Sequence, residues 1–180
     1  MKQVLQQYRP FLLFLGKFFL SYFVLTAVYR MYLSSFGKNV VDGITSNVSF
    51  LTQKLANILG IKIATQSFQD YYKIFYEGEY VARIIEGCNA ISVIILFVAF
   101  VIAFSGRLKP TLFFAVGGGL FLYIVNVFRI IILAVLLFSF PNQVHLLHGV
   151  LFPLLIYGMV FLLWIVWVNK YSVYASNHKK

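Results

Sequence analysis

Three side chains of this 180-residue sequence have the chemistry of a covalent catalyst: Cys88, Arg129 and His148. A thiolate is a strong nucleophile when cationic or imidazole groups nearby stabilise it. His148 can take the thiol proton and return it to a leaving amine, and Arg129 can hold the oxyanion that develops when a carbonyl is attacked. Cys88 is the only cysteine, which excludes an intrachain disulfide and a cysteine-based zinc site. Taken alone such a residue is a small buried hydrophobe, but it stands beside Glu86, Gly87 and Asn89. Arg129 sits among Val127, Phe128, Ile130 and Ile131, where a charge is costly unless it faces a polar interior. Its plainer roles are to snorkel to lipid headgroups or to pair with Glu86. Asn126, on the same helix face, can orient the guanidinium. His145, one turn from His148, is a second candidate for the proton carrier. Two histidines without a nearby carboxylate do not make a metal site, so neither metal nor cofactor is expected.

These residues need a scaffold, and the composition says which kind. Apolar residues make up 61% of the chain and charged residues 11%, against about 25% charged in a soluble domain. With a mean hydropathy of +0.86, the chain is a membrane protein, and disorder and repeat architectures are excluded. The net charge of +10 does not point to nucleic acid, because the basic residues are scattered at the ends of apolar runs without forming a face. Membrane lipids are the expected surroundings.

Apolar runs at about 11–29, 89–106, 110–140 and 149–168 set the organisation. A span needs about 20 apolar residues, so the first, second and fourth runs fit one span each. The third is too long for one and too short for two; residues 130–140 either extend its helix or lie on the membrane as a lid. The first run lacks a small-residue cleavage site and reads as a retained signal anchor. Lys2, Arg9, Arg107, Lys109, Lys170, Lys179 and Lys180 mark the cytoplasmic side. All five acidic residues lie between Asp42 and Glu86, and over Met31 to Cys88 they are balanced by Lys38, Lys54, Lys62, Lys73 and Arg83. Residues 31–88 are therefore the translocated segment, with both termini inside.

The expected fold is an all-α membrane protein, one polytopic bundle of about four transmembrane helices spanning residues 1–180, with an external amphipathic helix and a small β-hairpin. The amphipathic helix runs from about Asp42 to Leu59, with Val48, Leu51, Leu55, Ile58 and Leu59 on its apolar face and Gly60 as its stop. The hairpin pairs Tyr71–Tyr76 with 79–85 around Glu77-Gly78. Gly117-Gly118-Gly119 reads as close helix packing. Tyr157, Trp164, Trp167, Tyr171 and Tyr174 read as core and interfacial belt.

Span lengths then bring the three chemical residues to one depth. Cys88 sits at the outer mouth of the second span. Arg129 lies 19 residues beyond Pro110, a rise of roughly 28 Å, which returns it to the level of Cys88. His148 opens the last span at the same boundary.

Glu86-Gly87-Cys88-Asn89-Ala90-Ile91, Asn126-Val127-Phe128-Arg129-Ile130, and His145-Leu146-Leu147-His148 before a final apolar span resemble the exosortase/archaeosortase family, and within it the exosortase F subfamily. The resemblance covers about residues 84–168. It implies a multi-pass cysteine peptidase or transpeptidase of the bacterial inner membrane, acting at its outer face. The implied substrate is a secreted protein ending in a short motif, a hydrophobic helix and a basic tail. Carried over, Cys88 is the nucleophile, Arg129 the oxyanion or carbonyl stabiliser and His148 the proton shuttle; Asn126, Glu86, Asn89 and His145 are supporting candidates. The chain is short for the family, with about four spans, and either histidine can fill the family's position. Two other classes compete: an assembly subunit with an inert Cys88, and a small transporter in which Arg129 binds an anion.

Overall fold

The computed structural model describes residues 2–37, 39–104 and 106–171, with side chains from Tyr8 onward. Lys38, Tyr174, Lys179 and Lys180, used above, lie outside these residues. The chain begins with α1 (Lys2–Ser34), then α2 (Gly43–Ile58), strands β1 (Ile63–Phe68), β2 (Tyr71–Tyr76) and β3 (Glu79–Ile84), and a 3-10 turn Glu86–Cys88. It continues with α3 (Ile91–Ala103), α4 (Leu108–Ser139), a short turn α5 (Val144–Leu146), a π-helical turn Leu147–Leu151 and α6 (Phe152–Lys170).

Three stretches among the described residues are helical, long and apolar enough to cross a membrane: Tyr8–Ser34, Leu108–Ser139 and Pro141–Lys170. The expected second span is the exception. Its helix α3 has 13 residues, a rise of about 20 Å against a hydrocarbon core of about 30 Å. The turns at Asn89-Ala90 and at Phe104 end the helix short of the apolar run on both sides. Because α3 is packed against α1, α4 and α6, it meets protein where a lipid-facing helix would need full length.

The inner core joins Phe97 and Val101 of α3, Leu122 of α4, and Val160 and Trp167 of α6. Trp164 stacks on Phe100 with centroids 4.0 Å apart, and Phe14 of α1 meets Phe104 at 4.7 Å. Aromatic pairs at these separations add specificity of geometry to burial. Gly118 and Gly119 let α4 approach α3, since a Cβ at Gly118 would collide with Phe97 and one at Gly119 would lie 3.3 Å from Ile94. The glycine run thus packs helices closely, as its small residues imply.

The 110–140 run forms one helix. At 32 residues, α4 extends about 48 Å, some 18 Å more than the hydrocarbon core. Its carboxyl-terminal third is buried by the segment that precedes α3: Val127, Ile130, Ile131 and Ala134 share a core with Val48, Ala56, Ile63, Ile74 and Ile84. The length that fits neither one span nor two is a single helix, long and apolar enough to cross a membrane, whose last third is wrapped by a cap.

Within that cap, α2 starts and stops as its sequence dictates. Asp42 is the N-cap and accepts from the backbone N–H groups of Ile44 and Thr45 at 2.9 and 3.0 Å. The buried face differs from the expected apolar stripe. It consists of Thr45, Val48, Ser49, Thr52 and Ala56, whereas Ile58 and Leu59 are 72% and 51% exposed. Small residues win the buried side because α2 lies close against α4 and β1. The expected hairpin is present as β2 and β3, and β1 joins it to make a three-stranded antiparallel sheet in the order β1-β2-β3. Only Ile63 of β1 is buried, so the strand carries little periodicity of its own and is held by pairing with β2.

Candidate functional site

Cys88 ends the 3-10 turn that follows β3, its backbone N–H donating to the Ile85 carbonyl at 2.8 Å. Its side chain is half-buried. Asn89 and Asn126 hold this turn from two directions. Asn89 is buried, and its Nδ2 donates to the Tyr29 hydroxyl of α1 at 2.7 Å and to Thr45 Oγ1 of α2 at 3.2 Å. Its Oδ1 accepts the Ile91 N–H at 3.0 Å, closing the start of α3. Ala90, next in the chain, has φ +64°, a left-handed conformation costing about 1–2 kcal/mol for a residue with a Cβ. Such local strain persists only where surrounding contacts over-determine it.

Asn126 is fully buried on α4. Its Nδ2 donates to the Cys88 carbonyl at 2.7 Å, and its Oδ1 accepts from Arg129 Nη1 at 3.2 Å. One amide therefore ties the Cys88 backbone to the Arg129 guanidinium. Arg129 Nε is buried without a hydrogen-bond partner, leaving a donor at a site where desolvation makes an unmade bond costly. Replacing Asn126 by alanine should orphan the Cys88 carbonyl and loosen the guanidinium. The expected destabilisation is about 2 kcal/mol, read as a lower thermal midpoint of the detergent-solubilised chain; an unchanged midpoint would rule out this bridge as a stabilising contact.

His148 lies in the π-helical turn Leu147–Leu151. Its neighbour Leu147 is buried with Leu133, Leu137 and Phe152, which anchors the turn against α4. Single π-turns are uncommon and recur at functional positions. Cys88, Arg129 and His148 all line one cavity of about 350 Å³, walled by β3 and the carboxyl-terminal third of α4. The field of Arg129 reaches both Cys88 and His148. The turn after β3, β3 itself, α4 and the π-turn thus converge on this cavity, together with Ile74 of β2 and Val144 of α5.

The remaining sequence candidates divide. Asn126 and Asn89 brace the turn as described. His145 is exposed and is absent from the cavity wall. Glu86 is exposed and faces a second cavity with Asp42, Asp70 and Arg83. Its expected alternative as the ionic partner of Arg129 is not realised. A salt bridge that does form, Lys62–Glu77 at 3.1 Å, lies on the surface. Glu86 points away because the 3-10 turn places it and Cys88 on different sides of the chain.

Two features escaped the sequence. The Tyr157 side chain of α6, read there as core or belt, lies within electrostatic reach of Arg129. The wall supplied by β3 depends on tertiary pairing, with no local signal beyond strand periodicity.

Chemically, the cavity offers a thiol, an imidazole and a guanidinium with mostly apolar surroundings, where a charge–charge interaction is stronger than in water. That set suits nucleophilic attack on a carbonyl with a proton carrier and a fixed positive charge at hand. No known protein family, curated protein or solved structure matches this chain.

Proposed function

We propose that the protein is a membrane-embedded cysteine peptidase or transpeptidase acting on the carboxyl-terminal sorting signal of secreted proteins. The observation that carries this reading is the meeting of Cys88, Arg129 and His148 on one cavity. Cys88 Sγ attacks the scissile carbonyl while His148 takes the thiol proton. Arg129 stabilises the oxyanion; as the tetrahedral adduct collapses, the C–N bond breaks and His148 returns the proton to the departing amine. Water or an acceptor amine then attacks the thioester, its proton passing through His148 back to the thiol, which restores the free enzyme.

In the same reading the chain crosses the inner membrane four times with both termini cytoplasmic, α3 passing as a short helix between longer neighbours. The cavity opens at the outer face, beside the leaflet in which the hydrophobic helix of a substrate would lie. Arg107 and Lys109 at the α3–α4 turn and Lys170 at the end of α6 support the inward placement of those ends.

The test is thiol labelling of Cys88 in intact cells with a membrane-impermeant reagent across a pH series. The expected result is rapid labelling at pH 6–7 that slows by about tenfold in His148→Ala and in Arg129→Ala, the size of effect expected when a neighbour that stabilises a thiolate is removed. Slow labelling that neither substitution alters would make Cys88 a packing residue and favour an assembly subunit.

A further inference from the structure

The cavity has one wall with unused hydrogen-bonding capacity. The order β1-β2-β3 makes β3 an edge strand, and it is the edge strand that walls the cavity beside Cys88, Arg129 and His148. Antiparallel pairing alternates residues that bond their partner with residues whose backbone groups point the other way. Glu77 donates its N–H to Lys62 of the β1 side at 3.2 Å, so Tyr76 turns towards β3, where it pairs with Glu79. Phe75 turns towards β1, and its β3 neighbour Tyr80 has its backbone N–H and C=O directed outward. A bulge absorbs Val81, and Lys73 pairs with Arg83, which faces outward by the same alternation. Among the described residues no backbone hydrogen bond from outside the sheet reaches Tyr80 or Arg83.

An open edge is a template for another chain, and proteins ordinarily cover, charge or shorten such edges. Here the edge runs through Ile85 directly into the Cys88 turn, and a bulge of the kind found beside active sites bends it. Opposite it, Ile130, Leu133 and Leu137 provide apolar walls suited to alternate side chains of an extended segment.

We propose that β3 receives the substrate as an extended peptide that adds a strand to the sheet by main-chain hydrogen bonds and carries its scissile bond past Cys88. This deepens the peptidase reading and rests on it. Recognition is then largely blind to side-chain identity along the edge, with selectivity from the apolar walls. An extended strand also presents a carbonyl with both faces unencumbered by local structure, as attack by a thiolate requires.

The parity of the edge supplies the test. Only every second amide of an added strand faces β3; the others point away. The probes are an acetylated tetrapeptide of alanine and valine ending in a vinyl sulfone, and two analogues N-methylated on alternate amides, one for each parity. Addition to Cys88 of the full-length detergent-solubilised chain is followed by intact mass, with methyl vinyl sulfone as the minimal electrophile. One methylated analogue should react within about twofold of the parent and the other about tenfold more slowly, the effect of removing a pair of main-chain hydrogen bonds. Equal rates for the two analogues, or a parent peptide no faster than methyl vinyl sulfone, would overturn strand addition. Cys88 adding methyl vinyl sulfone rapidly in that case would leave the peptidase reading standing. Cys88 reacting as slowly as an ordinary buried thiol with every probe would sink that reading and the proposal together.

Discussion

Cys88→Ala should abolish processing while leaving the fold intact. Loss of a covalent nucleophile costs on the order of 10³-fold or more in turnover, and alanine offers no atom to form the thioester. The scaffold should survive because Asn126 holds the backbone carbonyl of residue 88, not its sulfur, and the neighbouring turn is braced through Asn89. A half-buried thiol contributes about 1 kcal/mol or less when truncated to a methyl. The measurement is carboxyl-terminal proteomics of secreted proteins, comparing cells carrying the parent and Cys88→Ala chains at matched membrane abundance. Proteins ending in a hydrophobic helix and a basic tail should accumulate uncut with the variant. Normal processing by folded Cys88→Ala would end the peptidase reading and leave an assembly role.

Gly118→Ala should be the most damaging single-methyl change in the bundle. A Cβ there would collide with the Phe97 ring, and Phe97 is fully buried among Val101, Leu122, Val160 and Trp167. A flexible side chain at a surface would swing aside; a ring enclosed by four other side chains has no such path. Either the ring leaves its rotamer or α3 and α4 separate, with overpacking penalties of about 1–3 kcal/mol, and larger when backbone must move. Gly117→Ala is the control, since nothing lies within 4 Å of a Cβ at that position. The expected result is a sharply lower thermal midpoint for Gly118→Ala in detergent and little change for Gly117→Ala. Equal midpoints would show that α3 and α4 do not pack through Gly118.

Both effects connect the bundle to the chemistry. α4 carries Gly118 in the inner core and Asn126 and Arg129 at the cavity, so a shift of α4 against α3 displaces the guanidinium relative to Cys88. The Asn126 bridge has the opposite consequence in the native state. It couples the turn bearing the thiol to the helix bearing the positive charge, which holds the two in register without a direct bond between them.

The apolar runs alone led to the expectation of membrane-spanning helices, and three helical stretches among the described residues are long and apolar enough to cross a membrane. Helix starts with local chemistry were legible too: Asp42 caps α2 through its own carboxylate, and Glu77-Gly78, both with positive φ, form the turn between β2 and β3. Helical rise led to the expectation that Cys88, Arg129 and His148 lie close together, and the three line one cavity. What needed the tertiary structure was everything set by neighbours. α3 is shorter than its apolar run because Asn89 and Ala90 are bound into a turn by Tyr29 and Thr45, residues remote in sequence. β1 exists through its partner strand, and the buried face of α2 is chosen by the close approach of α4. His148 rather than His145 lines the cavity because a π-turn and the anchoring of Leu147 set the direction of each histidine, although both are exposed. Glu86 turns to another cavity for a similar reason. Linear spacing determines how far along an element a side chain lies; which way it points, and what it meets, depends on packing between elements that the sequence encodes only jointly.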